Sequence, residues 1–294
     1  MTATTRILVE RFLEARTDLR DTTRVAYRLE SKRLGDMIDC PVDSLSPSIL
    51  ERWAVDYKRR RCIRVIKTVY SWSVRNGLIK TNPAQGVRGP KIRTRTNMPF
   101  NRSMLGLPAQ FDSPRDRALV QLLIDSGIRA REALGLDWEL VDLNSGVIRI
   151  ERSVSPKNGI QGLKTANSER DIAISRATVQ ALAALAITQN SGPVFRNRSG
   201  TRICLNNWSY RVWKPTLKKL DLRIRLHDLR HFCATTLLEA GATVAAVQQR
   251  LGHASSEITT RFYARRSIKL SKDMASLMDN LFDAEGSKID SGGR

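Results

Sequence analysis

The strongest constraint on how this chain folds is a break near its first third. Residues 81–100, TNPAQGVRGPKIRTRTNMPF, carry Pro83, Gly86, Gly89, Pro90 and Pro99. Proline removes an amide donor and glycine loosens the backbone, so no helix or strand runs through such a stretch. The 294-residue chain is therefore expected to fold as two units. Before the break the apolar period is helical. Ile7, Leu8, Phe12 and Ala15 share a face. Thr22 or Thr23 caps a second helix, with Val25, Ala26, Leu29 and Leu34 inward and a stop at Gly35. Ser46 caps a third helix that has Pro47 at its first position. A fourth runs from about Cys62 to Asn76, with Ile66, Val69, Tyr70 and Val74 inward, and ends at Gly77.

After the break the pattern is mixed. Ser113-Pro114 opens a helix carrying Ala118, Leu119, Leu122 and Leu123, which ends near Ser126-Gly127. A short helix covers Arg129 to Leu134. The residues from Gly146 to Glu151, and again from Asp171 to Ser175, alternate apolar with polar as half-buried strands do. Turn residues lie between Pro156 and Gly162, which places Leu163-Lys164 near a hairpin of a small antiparallel sheet. Helices return from about Arg176. The expected fold is mostly α with a small antiparallel β-sheet. Its expected parts are a helical domain over 1–85, a basic linker over 86–102, an α+β domain over 103–270 and a C-terminal helix and tail over 271–294. The amphipathic stretch from Ser267 to Phe282 suits docking onto a neighbouring subunit or packing on its own domain.

Charge narrows the function. The net charge is +21, and it is clustered. Residues 51–102 hold fourteen basic and two acidic side chains; residues 196–231 hold ten and two. Two basic segments separated by a neutral one fit two faces closing on a polyanion, where counterion release supplies affinity. The aromatics among them (Tyr57, Tyr70, Trp72, Trp208, Tyr210 and Trp213) form no lipid-inserting pattern. The longest apolar-rich run, Ala177 to Ile187, contains Thr178 and Gln180, short of the ~18 apolar residues of a membrane helix. The N-terminus lacks a signal-peptide core. Cys40, Cys62, Cys204 and Cys233 form no Cys-x-x-Cys pair and read as buried or half-buried thiols in a reducing cytoplasm.

All three histidines fall between His227 and His253. In HDLRH, His227, Arg230 and His231 share a helix face. A zinc-hydrolase pair at this spacing would want a glutamate directly after the first histidine and a third ligand; here Asp, Leu and Arg intervene, and an arginine there repels a dication. Three more signals accompany it: Arg129 in SGIRARE with Glu132 three on, Lys164 in LKTANSERDIAI, and His253 and Tyr263 in LGHASSEITTRFYA. Singly, each is a surface charge, a helix cap or a core aromatic. Together they resemble the tyrosine recombinase, or phage integrase, family: Arg in Ser-Gly-x-Arg, a hairpin Lys, His-x-x-Arg, Leu-Gly-His, then Tyr. The helical unit ending in Asn82-Pro83-Ala84 looks like that family's core-binding domain.

The resemblance implies a DNA-breaking and rejoining enzyme whose catalytic residues are Arg129, Lys164, His227, Arg230, His253 and Tyr263, with Lys157 as the other candidate lysine. Tyr263 would attack the phosphodiester and store its energy as a 3′-phosphotyrosine. Arg129 and Arg230 would clamp the non-bridging oxygens with planar donor forks, taking the role of a metal cation. Lys164, its pKa lowered beside two arginines, would protonate the leaving 5′ oxygen. His227 would assist proton transfer with Tyr263, His253 would donate to a non-bridging oxygen, and Glu132 would hold Arg129. No metal and no cofactor are expected. The expected partners are double-stranded DNA with inverted-repeat core sites, three further copies of the chain in a tetramer on DNA, and accessory DNA-bending proteins. An integrase of a phage or mobile element is favoured, without a separate arm-site-binding domain. A Xer-type dimer resolvase and a type IB topoisomerase are the alternatives.

Overall fold

The computed structural model describes residues 3–56, 60–88, 102–155, 159–163 and 169–252. Two compact units form, Met1–Asn97 and Met98–Arg294.

Four helices build the first unit: α1 (Thr5–Ala15), α2 (Asp21–Lys32), α3 (Pro47–Asp56) and α4 (Arg60–Arg75). The side chain of Thr4 caps α1 by accepting from the Ile7 amide, and Ser46 Oγ accepts from Ile49 at the start of α3. Leu8, Phe12, Leu50, Ile66, Val69 and Tyr70 close the core. The face of α2 differs from the expected one. Val25 and Leu29 are exposed, while Glu30 and Ser31 are buried. The Cys62 thiol donates to the Glu30 carbonyl (2.8 Å), and the Glu30 carboxylate takes Arg33 (2.8 Å). These polar contacts turn α2 away from its purely apolar orientation. On α1, likewise, Leu13 is buried where Ile7 and Ala15 face outward.

In the second unit α5 (Pro114–Ser126) is the central helix. Ala118, Leu119, Val120, Leu122, Leu123 and Ile124 are all buried, so it is apolar around most of its circumference. Helices α6 (Ala130–Ala133) and α7 (Arg176–Ala186) flank a small set of strands. The strands are β1 (Val141–Asp142), β2 (Val147–Ile150), β3 (Arg152–Ser155), β4 (Gly159–Gly162) and β5 (Arg170–Ala173). β1, β2 and β5 form an antiparallel sheet in which Ile148 faces Ile172 in register. β3 and β4 pair separately as a hairpin. α8 (Leu205–Trp208), a π turn (Ser209–Trp213) and α9 (Lys214–Lys219) follow one another directly, then α10 (Leu226–Glu239) and α11 (Val244–Leu251).

Trp208 and Trp213 are core residues, stacked with Phe111 at centroid distances of 6.4 and 5.9 Å. Of the aromatics in that basic segment, Tyr210 is the exposed one, with Lys214 Nζ 5.9 Å from its ring centre. Cys204 is exposed rather than half-buried. Among the described residues, no helix is long and apolar enough to cross a membrane. The C-terminal segment expected to dock lies outside the described residues.

Candidate active site

The site is built where the ends of α5 and α11 meet the starts of α6 and α10. Arg129 is the N-cap of α6. Its amide donates to Glu132 Oε2 (3.0 Å) and its Nη1 to Glu132 Oε1 (2.6 Å). Glu132 is buried, whereas the Arg129 side chain is 45% exposed. Arg170, on β5, donates through Nη2 to Glu132 Oε2 (3.0 Å) and through Nε to the Arg250 carbonyl (2.8 Å). Burial pushes the Glu132 carboxyl up, but Arg170 and Arg129 outweigh it and hold the group below its ordinary value.

Arg230 lies in the first half of α10 and is 1% exposed. Its Nη1 donates to the Gly127 carbonyl (2.8 Å) and its Nη2 to the Leu251 carbonyl (2.6 Å). One guanidinium thus joins the C-terminal ends of α5 and α11, whose dipoles favour a cation. Gly127 makes the approach possible. It closes α5 at φ +66°, and a Cβ there would stand 2.5 Å from Leu251 Cδ2 and 3.0 Å from Cys233 Sγ. Burial, and then the neighbouring charge of Arg129, push the Arg230 pKa down to about 9. A buried cation held beside another cation gains by the arrival of an anion.

His227 stands in the first turn of α10, its ring edge-on to His231 with centroids 4.9 Å apart. Burial, His231 and Arg230 lower its pKa from 6.5, so it is neutral at pH 7. Cys233, behind Arg230, is no nucleophile: burial pushes its thiol up to about 11. No group of three metal-ligating side chains occurs among the described residues. Lys164, Lys157, His253 and Tyr263 lie outside the described residues.

The structure thus brings Arg129, Glu132, His227 and Arg230 into one neighbourhood, and adds Arg170 and His231. Sequence reading passed over Arg170, although a signal existed. Arg170, Ile172 and Ile174 fall on one strand face, and both isoleucines are buried. A charge in phase with buried isoleucines needs a buried partner.

The first unit contributes a cleft of about 650 Å³ lined by Lys67, Ser71, Arg75, Lys80 and Asn82. Asn82 shapes it. Its Oδ1 accepts from the Ala84 amide (2.9 Å) and its Nδ2 donates to Ser71 Oγ (2.9 Å), pinning the loop to α4.

Comparison with known proteins places the chain in a family. Residues 102–269 match the Phage integrase family. Tyrosine recombinase XerC of Pseudomonas aeruginosa is 30% identical over 230 residues, covering 74% of this chain and 71% of that protein. Among solved structures, the Tn1549 transposon integrase in complex with circular intermediate DNA superposes with a TM-score of 0.78 at 19% identity, covering 94% of this chain and 100% of that one. A lambda integrase tetramer bound to a Holliday junction gives 0.64 at 17% identity, covering 86% and 78%. The chain belongs to the phage integrase family of tyrosine recombinases.

Proposed function

We propose that this protein is a site-specific DNA recombinase that integrates or excises a phage or mobile element through a 3′-phosphotyrosine intermediate. The observation that carries the reading is the cation pair. Arg129 is half exposed, and Arg230 is held with its proton affinity lowered by burial and then by that neighbour. Such a pair is suited to a phosphate whose charge grows in the transition state. Neutral His227 beside it can take a proton as Tyr263 attacks. Lys164, or else Lys157, supplies the proton to the leaving 5′ oxygen, and His253 donates to a non-bridging oxygen. The domain limits proposed for this work are a core-binding domain over 1–85, a linker over 86–102, a catalytic domain over 103–270 and a docking segment over 271–294.

The proposed substrate is duplex DNA with inverted-repeat core sites, held by four copies of the chain. Support comes from the likeness in fold to integrases solved with transposon and junction DNA. A Xer-type dimer resolvase is the second reading, favoured by the 30% identity to XerC.

The test is covalent trapping. The protein, in chelator, is mixed with nicked duplexes drawn from around its own gene. A detergent-resistant adduct should form with the wild type and not with Tyr263→Phe, which should still bind DNA. An adduct that survives in Tyr263→Phe assigns the nucleophile elsewhere. Recombination between an element end and a chromosomal site supports the integrase; resolution of tandem copies of one site supports the resolvase.

A further inference from the structure

We propose that Arg170 is a positioning residue that couples the Arg129 arm of the site to the turn leading into His253. This inference rests on the recombinase reading above. The Arg170 side chain is 7% exposed and its carboxylate partner Glu132 is 2% exposed. Taking two charges out of water costs several kcal/mol per ion, and replacing such a pair with apolar groups is often no loss to stability. A fold that needed only stability at this point would be served by a third isoleucine beside Ile172 and Ile174.

The geometry shows what the charge does instead. The two faces of one guanidinium fork are spent on two different elements. Nη2 reaches Glu132 Oε2 at 3.0 Å, and the same carboxylate receives the Arg129 amide and Arg129 Nη1. Nε reaches the Arg250 carbonyl at 2.8 Å, in the last turn of α11. The guanidinium also packs against Gly252. A Cβ there would come within 2.9 Å of Arg170 Nη1, and the glycine stands at φ +65°. Gly252 directly precedes His253 in the chain. One rigid, planar group therefore sets the distance between Glu132, which orients Arg129, and the end of α11. Leu251, in that same turn, carries the carbonyl that receives Arg230 Nη2. Arg170 acts on Arg129 through Glu132, and on the α11 turn through the Arg250 carbonyl.

A lysine keeps the charge but offers one compact ammonium in place of a planar fork. It can hold Glu132 or the Arg250 carbonyl, not both in this geometry. The test is a double-mutant cycle on single-turnover cleavage of a nicked core site, with wild type, Arg170→Lys, Glu132→Gln and the double variant. DNA affinity and melting temperature are measured alongside, below the melting range of all four. Arg170→Lys should slow adduct formation about tenfold to a hundredfold, the size typical of groups that orient a reactive side chain without touching the reacting atoms. DNA affinity should stay unchanged. In the Glu132→Gln background the same change should cost little more, because the carboxylate it acts through is gone.

Wild-type cleavage by Arg170→Lys overturns the proposal, as do effects that multiply fully in the double variant. Slowing that tracks the unfolded fraction also overturns it, since the role is then structural. An inert wild type sinks the recombinase reading first and this inference with it; an active wild type with an unaffected Arg170→Lys sinks this inference alone.

Discussion

The two units spend their buried volume differently. Among the described residues, the first unit buries one charged side chain, Glu30, at the edge of α2. The second buries five: Asp116, Glu132, Arg170, Asp228 and Arg230. Asp116 accepts from Trp208 Nε1 (2.8 Å), and Asp228 caps the start of α10 through the Arg225 amide (2.6 Å). Those two are local devices of the fold. Glu132 makes the same kind of cap for α6 through the Arg129 amide, but neither it nor Arg230 is part of an isolated pair. They sit in a network of cations with Arg129 and Arg170. Buried charge is costly and tends to be retained where chemistry uses it. The first unit is thus held chiefly by apolar packing, and the second adds a buried network of charges to its apolar core.

Phe12→Ala tests the apolar side of that contrast most severely. Phe12 is 1% exposed and stacks on Tyr27 at 5.2 Å, and truncating it should cost the first unit about 3–5 kcal/mol. Calorimetry should show a lowered transition for that unit beside an unmoved one for the second; a single shared transition that shifts whole would break the comparison. Next, Arg129→Ala and Arg230→Ala should each slow cleavage about 10²–10³-fold while DNA binding persists. A wild-type rate in either would remove that arginine from the site.

Gly127→Ala should follow, destabilising the second unit by about 1–2 kcal/mol from the left-handed backbone alone, before the clash with Leu251 and Cys233 is added. Urea midpoints measure it. The smallest effect is the pH response of His227. Its folded pKa lies below 6.5, so the unfolded chain binds the proton first. Its contribution to stability is therefore complete above the ordinary histidine range and declines as pH falls below 6.5 toward the depressed value. His227→Gln should flatten that slope, and it should move the acid limb of the cleavage profile. An unchanged acid limb would place the proton acceptor elsewhere.

Where one residue pattern decides an element, the sequence was readable. Ser46-Pro47 opens α3, and Gly127 closes α5. The alternation over Gly146–Glu151 and Asp171–Ser175 marks two strands, which form as Val147–Ile150 and Arg170–Ala173 and pair antiparallel. The family motifs pointed to Arg129, His227 and Arg230, which the fold gathers. What failed was orientation. Val25 and Leu29 have the spacing of a buried face, yet a thiol–carbonyl bond and an ion pair around Glu30 turn α2 the other way. Trp208 and Trp213 lie in a basic run and still pack on Phe111. Charge density in a window says nothing about which side of a helix each residue occupies.

By itself, then, the sequence determined the break in the pattern around Asn82-Pro83 and the types of the main helices and strands on either side of it, because these follow from local backbone preferences and short motifs. Only the tertiary structure decided that Arg230 would be buried between the carbonyls of Gly127 and Leu251, and that Arg170 would reach across to Glu132 and Arg250. Those contacts join residues up to 103 positions apart. Their energies depend on how far water is excluded when α5, α10, α11 and β5 pack together, and no local window of sequence contains that quantity.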